Sequence, residues 1–183
     1  MTVTMEKIFE LSAPGNSNTL EITGLDMSQY KNYKIFINAK SSDTGGVSVG
    51  HPLNIRFSLN GTTWNSSSIT ARVGCSDGSG LWDWGQASST NMILHAVPDS
   101  YNGGFYSPDY GSVDMMLYMP TELNRYPFWT SRSVQRKSAT GNYWLMQHWG
   151  SVPYQTTDGI TGMRFQISIG NFVNGTKISM YGF

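Results

Sequence analysis

The chain has 183 residues, with twelve Lys plus Arg against twelve Asp plus Glu, and only 13% of it is charged, where about 25% is usual. This balance lacks the basic footprint of a nucleic-acid binder, and no run approaches the ~18 apolar residues of a membrane-spanning helix. A single cysteine, Cys75, excludes an internal disulfide and leaves too few soft ligands for a structural zinc site.

The first segment, Met5 to Ser12, reads as a strand stopped by Pro14-Gly15-Asn16. Thr19 to Gly24 is a short second strand. Tyr33, Ile35, Ile37 and Ala39 then alternate with Lys34 and Asn38, and Phe36 interrupts the polar row. Ser41 to Gly50 reads as a loop. Leu53, Ile55, Phe57 and Leu59 alternate with Asn54, Arg56, Ser58 and Asn60, a period of two that marks a half-buried strand. Ile69 to Gly74 is another strand.

Cys75 to Thr90 is rich in Gly and Ser and carries Leu81-Trp-Asp-Trp-Gly85. It exceeds a simple turn, so it is expected to be a packing or functional loop. Asn91 to Val97 and Ser112 to Met119 are strands around a loop at Pro98 to Gly111. Arg125 to Lys137 and Asn142 to Trp149 form two long strands joined at Ala139-Thr-Gly141. After a loop at Pro153 to Gly159, Met163 to Ile169 and Thr176 to Tyr181 are expected to form a closing hairpin through Asn174-Gly175.

The count is ten or eleven strands. No segment has the i, i+3, i+4, i+7 apolar stripe of a helix. The expectation is an all-β protein, an antiparallel β-sandwich or jelly roll with almost no helix, in one domain spanning 1–183. The N-terminal residues Met1 to Phe9 lack an apolar h-region, which predicts a cytoplasmic product. The Asn-x-Ser/Thr triplets at Asn60, Asn65 and Asn174 are then discounted as glycan sites, and Asn60-Gly61 and Asn174-Gly175 are read as turns.

Catalytic signatures are missing from the sequence. His51, His95 and His148 are far apart, and none has a metal-ligand neighbour at short spacing. The acidic residues are scattered singly, with no close pair of the kind a two-carboxylate hydrolase uses. Asp77 lacks the further carboxylates of a calcium loop. Gly-x-Ser-x-Gly and P-loop motifs are absent. The reading is a protein without catalytic activity, metal or cofactor. Trp82 and Trp84 flank Asp83, and in an extended segment they form a platform for a sugar ring or a protein pocket. The simpler alternative is that both rings plug the core. Trp129, Trp144 and Trp149 are expected in the core. Arg132, Arg136 and Lys137 form a small basic group that either meets an acidic neighbour in an assembly or, more commonly for such groups, is a solvated edge that discourages stray strand pairing.

Three features carry a resemblance. A short strand, Ile22-Thr-Gly-Leu-Asp-Met-Ser-Gln-Tyr30 and the alternating strand Tyr33 to Ala39 follow one another near the N-terminus. Leu53-Asn-Ile-Arg-Phe-Ser-Leu-Asn-Gly61 is an alternating strand ending in Asn-Gly. Gly159-Ile160-Thr161, Met163-Arg-Phe, Gly170-Asn171-Phe172, Gly175 and Ile178-Ser-Met-Tyr-Gly-Phe183 close the chain. Together they resemble a family of small structural proteins of tailed-bacteriophage virions, above all those of marine and cyanobacterial phages. Residues 62 to 158 carry no matching motif. In that family Leu is common where Met180 stands, and Asn often directly follows the Phe where Ser58-Leu59 intervene here. The matching motifs are signatures of fold, so no functional residue is carried over.

The resemblance implies a virion structural protein, assembled in the host cytoplasm, with a capsid decoration (cement) protein as the leading role. Its partners would be the major capsid protein or other virion proteins, and closed symmetry on a three-fold position suggests a homotrimer. The alternative is a tail-fibre or receptor-binding head domain that contacts host glycans through Trp82, Asp83 and Trp84. A sandwich-fold glycan hydrolase or lyase is a distant third.

Overall fold

A computed structural model describes residues 4–42, 51–65, 69–76, 81–89, 92–97, 111–119, 124–136, 143–152, 154–155, 158–167 and 170–183. For 51–52, 69–97, 135–136, 143–146 and 148 the description within these ranges covers the backbone only. Twelve strands occur among the described residues: β1 (Glu6–Ser12), β2 (Thr19–Thr23), β3 (Asn32–Ala39), β4 (His51–Ser58), β5 (Ile69–Ser76), β6 (Leu81–Ser89), β7 (Met92–Val97), β8 (Gly111–Tyr118), β9 (Phe128–Arg136), β10 (Tyr143–Ser151), β11 (Gly162–Ile167) and β12 (Lys177–Gly182). They form an eight-stranded sheet in the order β1-β12-β3-β8-β9-β10-β5-β6 and a four-stranded sheet in the order β2-β11-β4-β7. Every strand pairing is antiparallel. The described residues contain no α-helix, and so no helix long and apolar enough to cross a membrane.

Alternation builds the core. Tyr33, Ile35, Ile37 and Ala39 of β3, Val113, Met115 and Leu117 of β8, and Ile178 and Met180 of β12 are buried. They meet Leu20 and Ile22 of β2, Leu53, Ile55 and Phe57 of β4, and Met163, Phe165 and Ile167 of β11 in one hydrophobic cluster. Residues on one face of a strand recur every second position, so a single register commits each strand's apolar set to the interior. Trp129 is fully buried and its indole N–H has no partner among the described residues. That orphan donor costs about 1–3 kcal/mol, less than the ~3–5 kcal/mol typically lost when a buried Trp is truncated, so ring burial wins.

Two expectations about connectivity are corrected. The closing segments do not form a hairpin: β11 lies between β2 and β4, whereas β12 lies between β1 and β3 in the other sheet. The chain between them crosses from sheet to sheet and is held as it goes. Phe172 N donates to Ser17 O at 2.8 Å, and Val173 N donates to Lys40 O at 3.0 Å. Asn174-Gly175 is a turn, with Thr176 N donating to Val173 O at 3.1 Å, but it aims the chain into β12 instead of folding β12 back on β11. Both strands have an apolar face for the same core, and each finds better neighbours in a different sheet. The second correction is Leu81 to Ser89, expected within a loop. It is β6, paired with β5 and outermost in the eight-stranded sheet. Its small residues Gly85, Ala87, Ser88 and Ser89 conceal a strand that pairs along one edge with β5.

Candidate functional site

The two sheets differ in what they expose. On the four-stranded sheet the outward row is polar. Arg164 pairs with Glu21 at 2.7 Å and stacks on Trp64 with 4.5 Å from guanidinium to ring centroid. Arg164 lies across from Arg56, and Gln166 from Asn54.

The outer face of the eight-stranded sheet is richer in apolar side chains. β3 turns Lys34, Phe36 and Asn38 outward, and β8 turns out Ser112, Asp114, Met116 and Tyr118. β9 inverts the usual chemistry. Its buried positions are Trp129, Ser131 and Ser133, while Phe128 and Val134 are exposed on either side of Arg132. Across the core, β7 of the other sheet brings Cα atoms within 8 Å of β8 and β9, closer than the ~10 Å of ordinary sheet stacking, and Ser131 and Ser133 lie on that side beside the larger Val113, Met115 and Trp129. Exposure on this face reaches 41% for Phe36, 49% for Phe128, 43% for Val134 and 44% for Trp149.

The aromatic rings are arranged in contact. Tyr118 and Phe128 stack at 4.5 Å between centroids and 14° between planes. Phe36 meets Tyr181 edge to face at 5.9 Å. Lys34 Nζ lies 5.0 Å from the Phe36 ring centroid and 3.0 Å from Asp114 Oδ2. An exposed pair of this kind contributes at most about 1 kcal/mol, so its main effect is to fix charge positions. Two shallow grooves run over the face. One of about 430 Å³ is lined by Lys34, Met116, Gln147 and Trp149, the other of about 370 Å³ by Phe36 and Val134. Asp114 and Arg132 line both and form the ridge between them.

Asp114 and Arg132 are directly opposed on β8 and β9. The Asp114 carboxylate nevertheless pairs with Lys34. Arg132 forms no ion pair among the described residues, so its guanidinium stands without a bonded carboxylate there, on a face where Phe36, Phe128, Val134 and Trp149 are interspersed with Lys34, Asp114 and Gln147.

The residues singled out in the sequence are distributed otherwise. Trp82, Asp83 and Trp84 lie in β6 opposite Cys75, Gly74 and Val73, with their side chains outside the described residues. His51 and His95 reach neighbouring positions of β4 and β7, and His148 lies in β10 of the other sheet. Trp129 is in the core as expected, but Trp149 is exposed, because it faces outward across from Thr130. Arg132 is on an interior strand, not an edge. The side chains of Trp144 and Arg136, and all of Asp77 and Lys137, lie outside the described residues. Among the described residues no group of three His, Cys, Asp or Glu is placed to hold a metal ion.

Comparison with protein-family models, with curated proteins and with solved structures finds no match to this chain. The sequence carried one signal of the face: Phe36 in an otherwise polar row. Trp149 and Val134 gave none, since alternation alone does not tell which side of an aromatic strand is inward.

Proposed function

We propose that this chain is a non-catalytic structural subunit of a tailed-bacteriophage virion, a capsid decoration protein seated on the shell of the major capsid protein. In this reading its two sheets are the layers of a β-sandwich of jelly-roll type. The observation that carries it is the outer face of the eight-stranded sheet, where Phe36, Phe128, Val134 and Trp149 stay exposed on paired strands. Exposed apolar side chains grouped on one face of a sheet mark a surface that another subunit covers in an assembly, and exposed aromatics with Arg are the composition of protein interfaces. Sparse charge and a net charge of zero fit a subunit packed among neighbours. The resemblance of the N-terminal strands and the Ile178-to-Phe183 ending points the same way.

The test is reconstitution. Particles assembled without this chain are mixed with the purified protein and sedimented. Saturable binding at a fixed ratio to the shell protein supports the reading, and protein left wholly in the supernatant refutes it.

A receptor-binding head domain is the second reading, favoured by Trp82 and Trp84 standing two apart on the outermost strand β6. Glycan-array binding abolished by Trp82→Ala and Trp84→Ala would support it, and binding that survives both would remove this platform.

A further inference from the structure

We propose that the outer face of the eight-stranded sheet is a self-complementary interface that binds a second copy of this chain, face to face about a two-fold axis running between β8 and β9. The inference rests on reading the chain as an assembly subunit, and names what covers its exposed face.

Asp114 and Arg132 define the axis. They are opposite neighbours on β8 and β9, and β8 and β9 are the two central strands of eight, with four strands on each side of the line between them. A two-fold axis in the interface, parallel to the strands and along that line, turns the β8 half of one copy over the β9 half of the other. Arg132 of each copy then faces Asp114 of its mate. The guanidinium that has no carboxylate partner among the described residues gains one, twice per dimer. Asp114 keeps Lys34 at 3.0 Å and still has an oxygen to offer, since a carboxylate accepts from several donors. An isologous contact requires this kind of reciprocal pairing.

The same operation matches the surrounding residues. Tyr118 comes over Phe128 of the mate, extending the stacked pair already present in each chain. Lys34 on β3 comes over Trp149 on β10, because both lie level with the Met116–Thr130 row. A cation over a Trp face is favourable by about 0.5–2 kcal/mol. Ion pairs, stacking and cation–π contact all follow from one axis.

Area and net charge agree. Eight strands at about 4.8 Å spacing and about seven residues of about 3.3 Å rise give a flat outline of roughly 900 Å² per copy before sheet twist, so most of the face has to take part. A standard stable interface takes about 800 Å² from each partner. A chain of zero net charge meets no long-range repulsion from its own copy. The result is a two-fold dimer in place of the homotrimer that particle symmetry suggests.

The test is sedimentation velocity on the full chain from about 1 to about 100 μM, the range in which moderate protein affinities are resolved. The wild type is expected to dimerise. Arg132→Asp sets acid against acid, and Asp114→Arg sets base against base, so each alone weakens dimerisation by about tenfold or more. An equimolar mixture of the two restores two attractive pairs, and heterodimer reappears. Circular dichroism melts identify any variant that fails to fold, and Trp149→Ser then serves as an independent disruption. A monomer or a trimer across the range overturns the inference, as does failure of the mixture to associate when each variant is folded. Those outcomes leave the structural role intact if the chain still binds particles. Dimerisation without particle binding does the reverse.

Discussion

The ring of Tyr30 lies directly against the α-carbon of Gly182. A Cβ built on Gly182 would fall 2.4 Å from Tyr30 Cγ and Cδ2, closer than side chains tolerate. The ring is pinned from other sides as well. Its hydroxyl donates to Glu6 Oε2 at 2.5 Å, and it meets Tyr33 edge to face at 5.8 Å. Tyr30 thus clamps β12 where β1 and β3 flank it. Gly182→Ala is expected to destabilise the protein by about 1–3 kcal/mol through overpacking. In a double-mutant cycle with Tyr30→Ala the two losses should be less than additive. Urea denaturation of the four proteins measures both.

Tyr33 gives a pH dependence. It is 1% exposed, and burial pushes its phenol up to about 12, against about 10 in an unfolded chain. The folded state therefore keeps a proton that the unfolded state releases between those values. Stability contributed by this group is fully present below pH ~10 and falls by up to about 1.4 kcal/mol per unit as pH rises toward 12. Denaturation midpoints at pH 9 and pH 11 should show the decline, and Tyr33→Phe should flatten it.

How far the sequence reveals this molecule is clearest at its strands. Leu53 to Phe57 and Tyr33 to Ala39 declare their buried sides because Ile, Leu, Phe and Tyr alternate with Asn, Arg and Lys. The sheet partners of β11 and β12 stay hidden, since a period of two states which side is apolar and says nothing of which neighbour supplies the hydrogen bonds. β9 misleads outright. Its interior Ser131 and Ser133 and exterior Phe128 and Val134 reverse the usual polarity, and their sides are set by pairing with β8 and β10, a tertiary fact. The candidate face was illegible for the same reason: it takes residues from β3, β8, β9 and β10, and Trp149 resembles a core residue until its register is known.

The separation of β11 and β12 is directly testable. Inter-strand NMR contacts should link Phe165 with Leu20 and Ile55, and Ile178 with Ile37 and Leu11. No ladder should connect β11 to β12. A continuous set of cross-strand contacts between Met163–Ile167 and Ile178–Tyr181 would contradict the fold.

Core and face should respond differently to truncation. Phe165 is wholly buried, so Phe165→Ala should cost about 3–5 kcal/mol. Phe36 is 41% exposed, so Phe36→Ser should change monomer stability far less, by about 1 kcal/mol or under. Thermal melts at low concentration, where association does not contribute, distinguish the two.

The central claim is that this chain is a building block of a virion. Quantitative mass spectrometry of virus particles purified from a culture that expresses the chain tests this most directly. The account predicts the chain in a constant ratio to the major capsid protein, retained through density-gradient purification. Particles that are infectious and complete but contain none of it would contradict the account.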